Sequence, residues 1–135
     1  MSRRSRAREV ALQMLFEDDV NPRASVEQTK EFLAARLRAP DLEEFCLSLI
    51  QGVRRNQGEL DALLAQSADN WSIDRMAATD RNVLRLGAYE IIYAETPDRA
   101  AINEAVELAK RFGSANSAPF VNGILDRVLH RKEGQ

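Results

Sequence analysis

TDRNVLRLGAYEIIYA, residues 79–94, decides the fold. Val83, Leu84, Gly87, Ala88, Ile91 and Ile92 recur at helical spacing and form one apolar face. Leu86, Tyr89 and Tyr93 form a second apolar side. A helix apolar on two sides must be covered on two sides, so it belongs at the centre of a helical body. Thr79 is placed to cap its start, and Thr96-Pro97-Asp98 breaks the chain after it.

Helical periodicity continues on both sides of this stretch. Downstream, a helix over about 99–113 puts Ile102, Ala105, Val106, Ala109 and Phe112 on one face, with Gly113 as a left-handed stop. The small-residue loop from Ser114 to Pro119 holds Ser117 as a new cap. The last helix, about 118–131, buries Val121, Ile124, Leu125, Val128 and Leu129. Upstream, about 68–79 reads as a hinge in which Trp71 and Ile73 are apolar within a polar surround, and Ser72 caps one turn. Before it lies the longest helix, about 41–67, with Asp41 and Glu44 spaced as a capping box. Gly52 and Gly58 inside it mark close packing or a bend. Two earlier helices span about 3–19, capped by Ser2, and about 25–38, opened by Ser25. No stretch has the strand period. The expectation is an all-α protein: two packed three-helix bundles, about 1–67 and 72–131, forming one compact body.

Charge is unevenly placed. The first eight residues carry Arg3, Arg4, Arg6 and Arg8 and no acid, while the other 127 carry 15 Lys and Arg against 21 Asp and Glu. The segment MSRRSRAREVALQMLF runs from this cationic arm straight into an apolar helical stripe. Arginine pairs with phosphate as a planar fork and stacks on bases, so nucleic acid is the ligand this arm suits. A solvated helix start with no ligand fits the same residues.

Other chemistries find little support. Cys46 is the one cysteine, so no intrachain disulfide forms, which fits a reducing cytoplasm. It falls on the apolar stripe and reads as a small core residue. His130 is the one histidine, too far from Cys46 in sequence to suggest a zinc site. The glycines are scattered rather than gathered into a phosphate loop, and no apolar run reaches membrane-spanning length. No catalytic constellation, cofactor site or metal site is expected. Phe120 stands at a loop-to-helix junction, where an aromatic ring either stacks on a base or packs as a staple on its own helix.

Four motifs in order resemble the NusB family: the Arg-rich opening with R-x-x-A-L-Q-x-L-aromatic, DRNVLRLGAYEI at 80–91, AINEAVELAKRFG at 101–113 and FVNGILDRV at 120–128. The resemblance spans nearly the whole chain, with 20–70 matching only in helix pattern. It implies the same fold, and a transcription antitermination factor without catalysis. Such a factor binds boxA-type RNA of nascent ribosomal RNA leaders together with the ribosomal protein NusE. It joins other Nus factors on RNA polymerase and suppresses premature termination. A homodimer is the competing state, and an enzyme on this fold would need the catalytic region that follows it in RNA methyltransferases.

Carried onto this sequence, the resemblance implies that Arg3, Arg4, Arg6 and Arg8 form the RNA-binding arm. Gln13 and Phe16 lie on the same helix, and Arg85 lines the RNA face. Phe120 offers its ring to a base, and Asp80 faces NusE. Asn122 is implied to be a buried amide and Gly123 a site of close helix approach. Glu90, Asn103 and Glu104 are assigned to loop fixing and core polar contacts. Two positions depart from the family pattern. Pro119 replaces a basic residue before the motif's Phe, which weakens the loop's grip. Asn116 stands where an acid is common, which removes a charge that would repel phosphate.

Overall fold

Ser2 accepts a hydrogen bond from the Ser5 backbone N–H and starts α1 (Arg3–Val20), and Asn21 closes it. The computed structural model describes residues 2–69 and 71–134. Helix α2 (Val26–Leu37) opens with a full capping box, in which the Ser25 hydroxyl takes the Gln28 N–H and the Gln28 side chain takes the Ser25 N–H. It stops at Arg38, which is left-handed with φ 53°.

Three expected caps move. Helix α3 (Pro40–Ser67) begins one residue before Asp41, because Pro40 takes the first helical position, where its fixed φ suits the helix and its missing N–H costs nothing. Asp41 therefore lies inside the first turn. A 3-10 turn, Ile73–Arg75, follows, capped by Ser72 as its sequence predicts. Helix α4 (Ala78–Ile92) is preceded by Ala77, and Thr79 is already helical. Helix α5 (Asp98–Phe112) ends at Gly113, whose φ of −94° is extended rather than left-handed. What position 113 requires is space: a Cβ there would meet the Ser117 side chain and lie 2.8 Å from the Ala109 carbonyl oxygen. Ser117 is the first residue of α6 (Ser117–Glu133), where its Oγ accepts from the Ser114 N–H and pins the loop.

The helices form two packed three-helix bundles, α1–α3 and α4–α6, and every described helix residue belongs to an all-α body. Side-chain pairs fix the directions. Arg3 meets Asp41 and Asp18 meets Arg54, so α1 and α3 run parallel. Arg8 meets Glu90 and Asp19 meets Asn82, so α4 runs antiparallel to α1. Helix α4 is covered on both apolar sides, by α1 and α3 from one bundle and by α5 and α6 from its own. Leu84, Leu86 and Ile91 are fully buried there, each contributing about 1.5–3 kcal/mol.

Glycines divide by neighbour. Gly52 on α3 admits the Tyr89 ring of α4 where a Cβ would stand, and Gly87 admits Leu125 at 2.7 Å. Gly58 and Gly123 face open space. Gly123 is therefore no point of close helix approach, and Asn122 is exposed rather than a buried amide, because both lie on the outer side of α6. Cys46 is fully buried, and burial pushes its thiol up to about 12, which leaves it an inert core residue.

Candidate nucleic-acid interface

The four arginines of α1 separate by helix face. Arg3 is exposed and forks onto the Asp41 carboxylate at 3.0 and 3.1 Å. Its hydrogen bonds hold the Asp41 carboxyl below the usual range. Arg4 is exposed, its guanidinium 4.4 Å from the centre of the Phe45 ring. Arg6 pairs with Glu9 at 3.1 Å.

Arg8 does not belong to the exposed arm. Its residue is 5% exposed, and it donates two hydrogen bonds of 2.9 Å to Glu90. Glu104 lies 3.5 Å away and accepts from the Ser5 hydroxyl at 2.7 Å. Glu90 also accepts from Thr96, which ties down the turn between α4 and α5. Glu90 and Glu104 thus do the loop fixing and core polar work assigned to them. Arg8 shares a side with Arg4, but one turn further along α1 that side is covered by α4 and α5.

Arg85 is also inside. It forks onto Asp61 at 2.8 and 2.9 Å and reaches Asp19 at 3.1 Å and Asn82 at 3.2 Å. Burial alone would lower its pKa, but the Asp61 and Asp19 carboxylates outweigh that and raise it. Burial likewise opposes ionisation of Asp19, yet hydrogen bonds and charge from Asn82, Arg85 and Arg81 hold its carboxyl below the ordinary value. Arg85 therefore braces α4 against α1 and α3 and offers no exposed guanidinium.

Gln13 and Phe16 are exposed on α1, in line with Arg6 at helical spacing. They line a groove of about 470 Å³ with Leu12, Phe32 and Phe112. The Arg111 guanidinium pairs with Glu9 at 3.1 Å beside this groove and lies 5.1 Å from the Phe112 ring centre. Phe112, predicted to face the core, is 42% exposed. It is the last residue of α5, beyond the point where the helix still packs on its neighbours. Thr79 also lines the groove, and the adjoining Asp80 is half-buried, its Oδ1 making no hydrogen bond with any described residue.

Phe120 lies elsewhere, at the start of α6. Its ring is partly buried on the core and meets Trp71 edge to face, with centroids 6.1 Å apart. Phe120 thus packs on the core and on Trp71 rather than solely on its own helix, and the rest of its ring is open. Asn116 is exposed just before α6 and makes no side-chain cap, and Pro119 is exposed beside it. Among the described residues no group of His, Cys, Asp and Glu is arranged to hold a metal, and no helix is long and apolar enough to cross a membrane.

The site therefore comprises exposed cations at the start of α1, a groove lined by aromatic rings along α1, and a second aromatic corner at α6. Comparison with known proteins gives it a family. The NusB family model matches residues 5–130. The chain is 43% identical over 132 residues to the transcription antitermination protein NusB of Desulfatibacillum aliphaticivorans, covering 96% of this chain and 92% of that one. It superposes on T. maritima NusB with a TM-score of 0.86 at 36% identity, covering 96% and 92% of the two chains. A chain in a crystal structure of antitermination factors NusB and NusE with double-stranded RNA gives a TM-score of 0.86 at 27% identity, covering 97% and 98%. With the motifs, the six α-helices of the described residues and a match along almost its whole length, the chain belongs to the NusB family.

Proposed function

We propose that this chain is a transcription antitermination factor that binds boxA-type RNA of nascent ribosomal RNA leaders together with NusE, and so suppresses premature termination by RNA polymerase. The observation that carries this reading is the near full-length match to relatives named for antitermination. A structurally similar assembly that holds NusB, NusE and RNA supports both partners. The function is binding without catalysis, exercised beside RNA polymerase in the cytoplasm, and other Nus factors are met indirectly.

The residues suited to each part follow from their exposure. Arg3, Arg4 and Arg6 attract phosphate; the pairs of Arg3 with Asp41 and Arg4 with Phe45 lie at the surface, where exchange for an RNA phosphate costs little, while half-buried Arg6 would leave the buried Glu9 to its second partner, Arg111. Gln13, Phe16 and Asn116 offer amide and ring contacts, and Phe120 offers its open side to an unstacked base. Asp80, next to the groove-lining Thr79, is the acidic position suited to NusE. Arg8 and Arg85 act indirectly, by holding α1 and α4 in place.

Filter binding of a boxA-type single strand against a scrambled strand tests the RNA reading. Equal affinity for both strands would defeat it. With Arg3, Arg4 and the half-buried Arg6 on phosphates, log K should fall against log salt with a slope of roughly −2. Co-elution with NusE at micromolar concentration tests the partner, and separate elution with and without RNA would refute it.

A further inference from the structure

We propose that Trp71 is a second base-stacking platform, forming with Phe120 a corner that takes one unstacked base of a single-stranded RNA. The inference rests on the RNA-binding reading above and adds to it a residue and a place. Trp71 is 53% exposed, a large apolar area to leave in water on a side chain that the core does not need. It is also held in position. Its backbone N–H donates to the Ala68 carbonyl at 3.0 Å, and the next residue, Ser72, caps the 3-10 turn. The indole meets the Phe120 ring at an interplanar angle of 73°, so the two rings form adjoining walls rather than a closed stack.

The surroundings favour a nucleotide over an apolar protein side chain. An open hollow is lined by Trp71, Ser72, Arg75 and Asp69. Arg75 is exposed and makes no side-chain hydrogen bond or ion pair with any described residue, so its guanidinium is free for phosphate. Asp69, the acid of the hollow, is matched by Arg127 at 3.4 Å. A flat apolar face beside free positive charge is the arrangement that binds single strands, with rings taking bases and guanidinium groups taking the backbone.

The chain has one tryptophan, so its emission reports on this corner alone. The experiment titrates the intact protein with a boxA-type single-stranded RNA while following Trp71 emission, and measures the same titration by filter retention of labelled RNA. The expected result is quenching that saturates at the concentration where retention saturates. Trp71→Ala should weaken retention roughly 10- to 100-fold, while Trp71→Phe keeps most of it. The slope of log K against log salt should stay as in the parent, because no cation is removed. Circular dichroism of both variants should match the parent, since half the ring is already in water. Retention with unchanged emission, and undiminished in Trp71→Ala, would overturn the corner while leaving RNA binding intact. A Trp71 emission change on adding NusE but not RNA would overturn it too, and would assign the corner to a protein. No retention of boxA-type RNA at all would defeat the RNA reading itself, and this inference with it.

Discussion

Arg3 and Arg8 stand five positions apart on one helix, yet they belong to different kinds of place. The open end of α1 holds Arg3 and Arg4 in contacts that water already surrounds, with Arg6 half-buried behind them. The closed junction between the bundles holds Arg8 on Glu90, and Arg85 on Asp61 and Asp19, with the guanidinium groups out of reach of solvent. Residue type alone does not make a ligand site. At the open end a guanidinium can exchange one anion for another at little cost. In the junction the charge has been taken out of water and depends on its partner, so the same group becomes a brace.

The closed junction is most exposed to test at Glu90. Glu90→Gln leaves the buried Arg8 charge with a neutral amide and only the more distant Glu104 carboxylate at 3.5 Å, and urea unfolding should show a loss of about 3 kcal/mol. A loss well under 1 kcal/mol would mean that water or Glu104 neutralises Arg8 and that the Glu90 pair is not what closes the junction. Replacing both partners, as in Arg8→Met with Glu90→Leu, should recover much of that loss, since apolar packing commonly matches a buried pair.

Glycines sharpen the same contrast between closed and open faces. Gly52→Ala forces a methyl into the Tyr89 ring between α3 and α4, and should cost about 1–3 kcal/mol. Gly123→Ala places its methyl in open space on α6, and should instead stabilise by about 0.5–1 kcal/mol through helix propensity. Thermal unfolding of the two variants should shift in opposite directions, and a shared direction would contradict the packing described.

Acid distinguishes the junction next. The folded pKa of Asp19 is lowered from 3.8, so its contribution is present above the unfolded value and fades as pH falls through the folded one. Asp19→Asn should therefore be less stable than the parent at neutral pH and flatten the loss of stability below about pH 4. Parallel acid-unfolding curves for the two proteins would remove Asp19 from the brace. The smallest effect on stability is expected at the open end. Arg3→Ala should leave the urea midpoint in place, while the salt slope of RNA binding becomes shallower by about 0.7. An unchanged slope would take Arg3 out of the phosphate contacts.

Much of this molecule is legible as periodicity. The two-sided apolar pattern of residues 79–94 places α4 at the centre, and hydrophobic spacing marks all six helices to within a residue or three. Caps are less legible where two residues compete for one start: Pro40 displaces Asp41, and Ala77 precedes Thr79. The buried arginines are harder still. Arg8 finds Glu90 82 positions away, and Arg85 finds Asp19 66 positions away, so nothing local distinguishes them from Arg3 or Arg6. Phe112 misleads in the other direction, because its spacing fits the core face while its place at the helix end turns it outward. The aromatic corner had a visible sign, an apolar Trp71 in a polar stretch, but its partner Phe120 lies 49 positions on in the sequence.

The contacts of Ser5, Arg8 and Glu9 bear on the order in which the chain can assemble during synthesis. Their acceptors and partners, Glu104, Glu90 and Arg111, are 99, 82 and 102 residues downstream. Side chains at the start of α1 thus wait for partners made much later in the chain. Until α4 and α5 emerge, the start of α1 has only local contacts and those to α2 and α3, and Arg8 stays hydrated. Closing so long a loop is slow but is done once, and it joins the first and last thirds of the chain in one step. The growing chain therefore acquires the fixed base of its cationic arm only after α4 and α5 have been made.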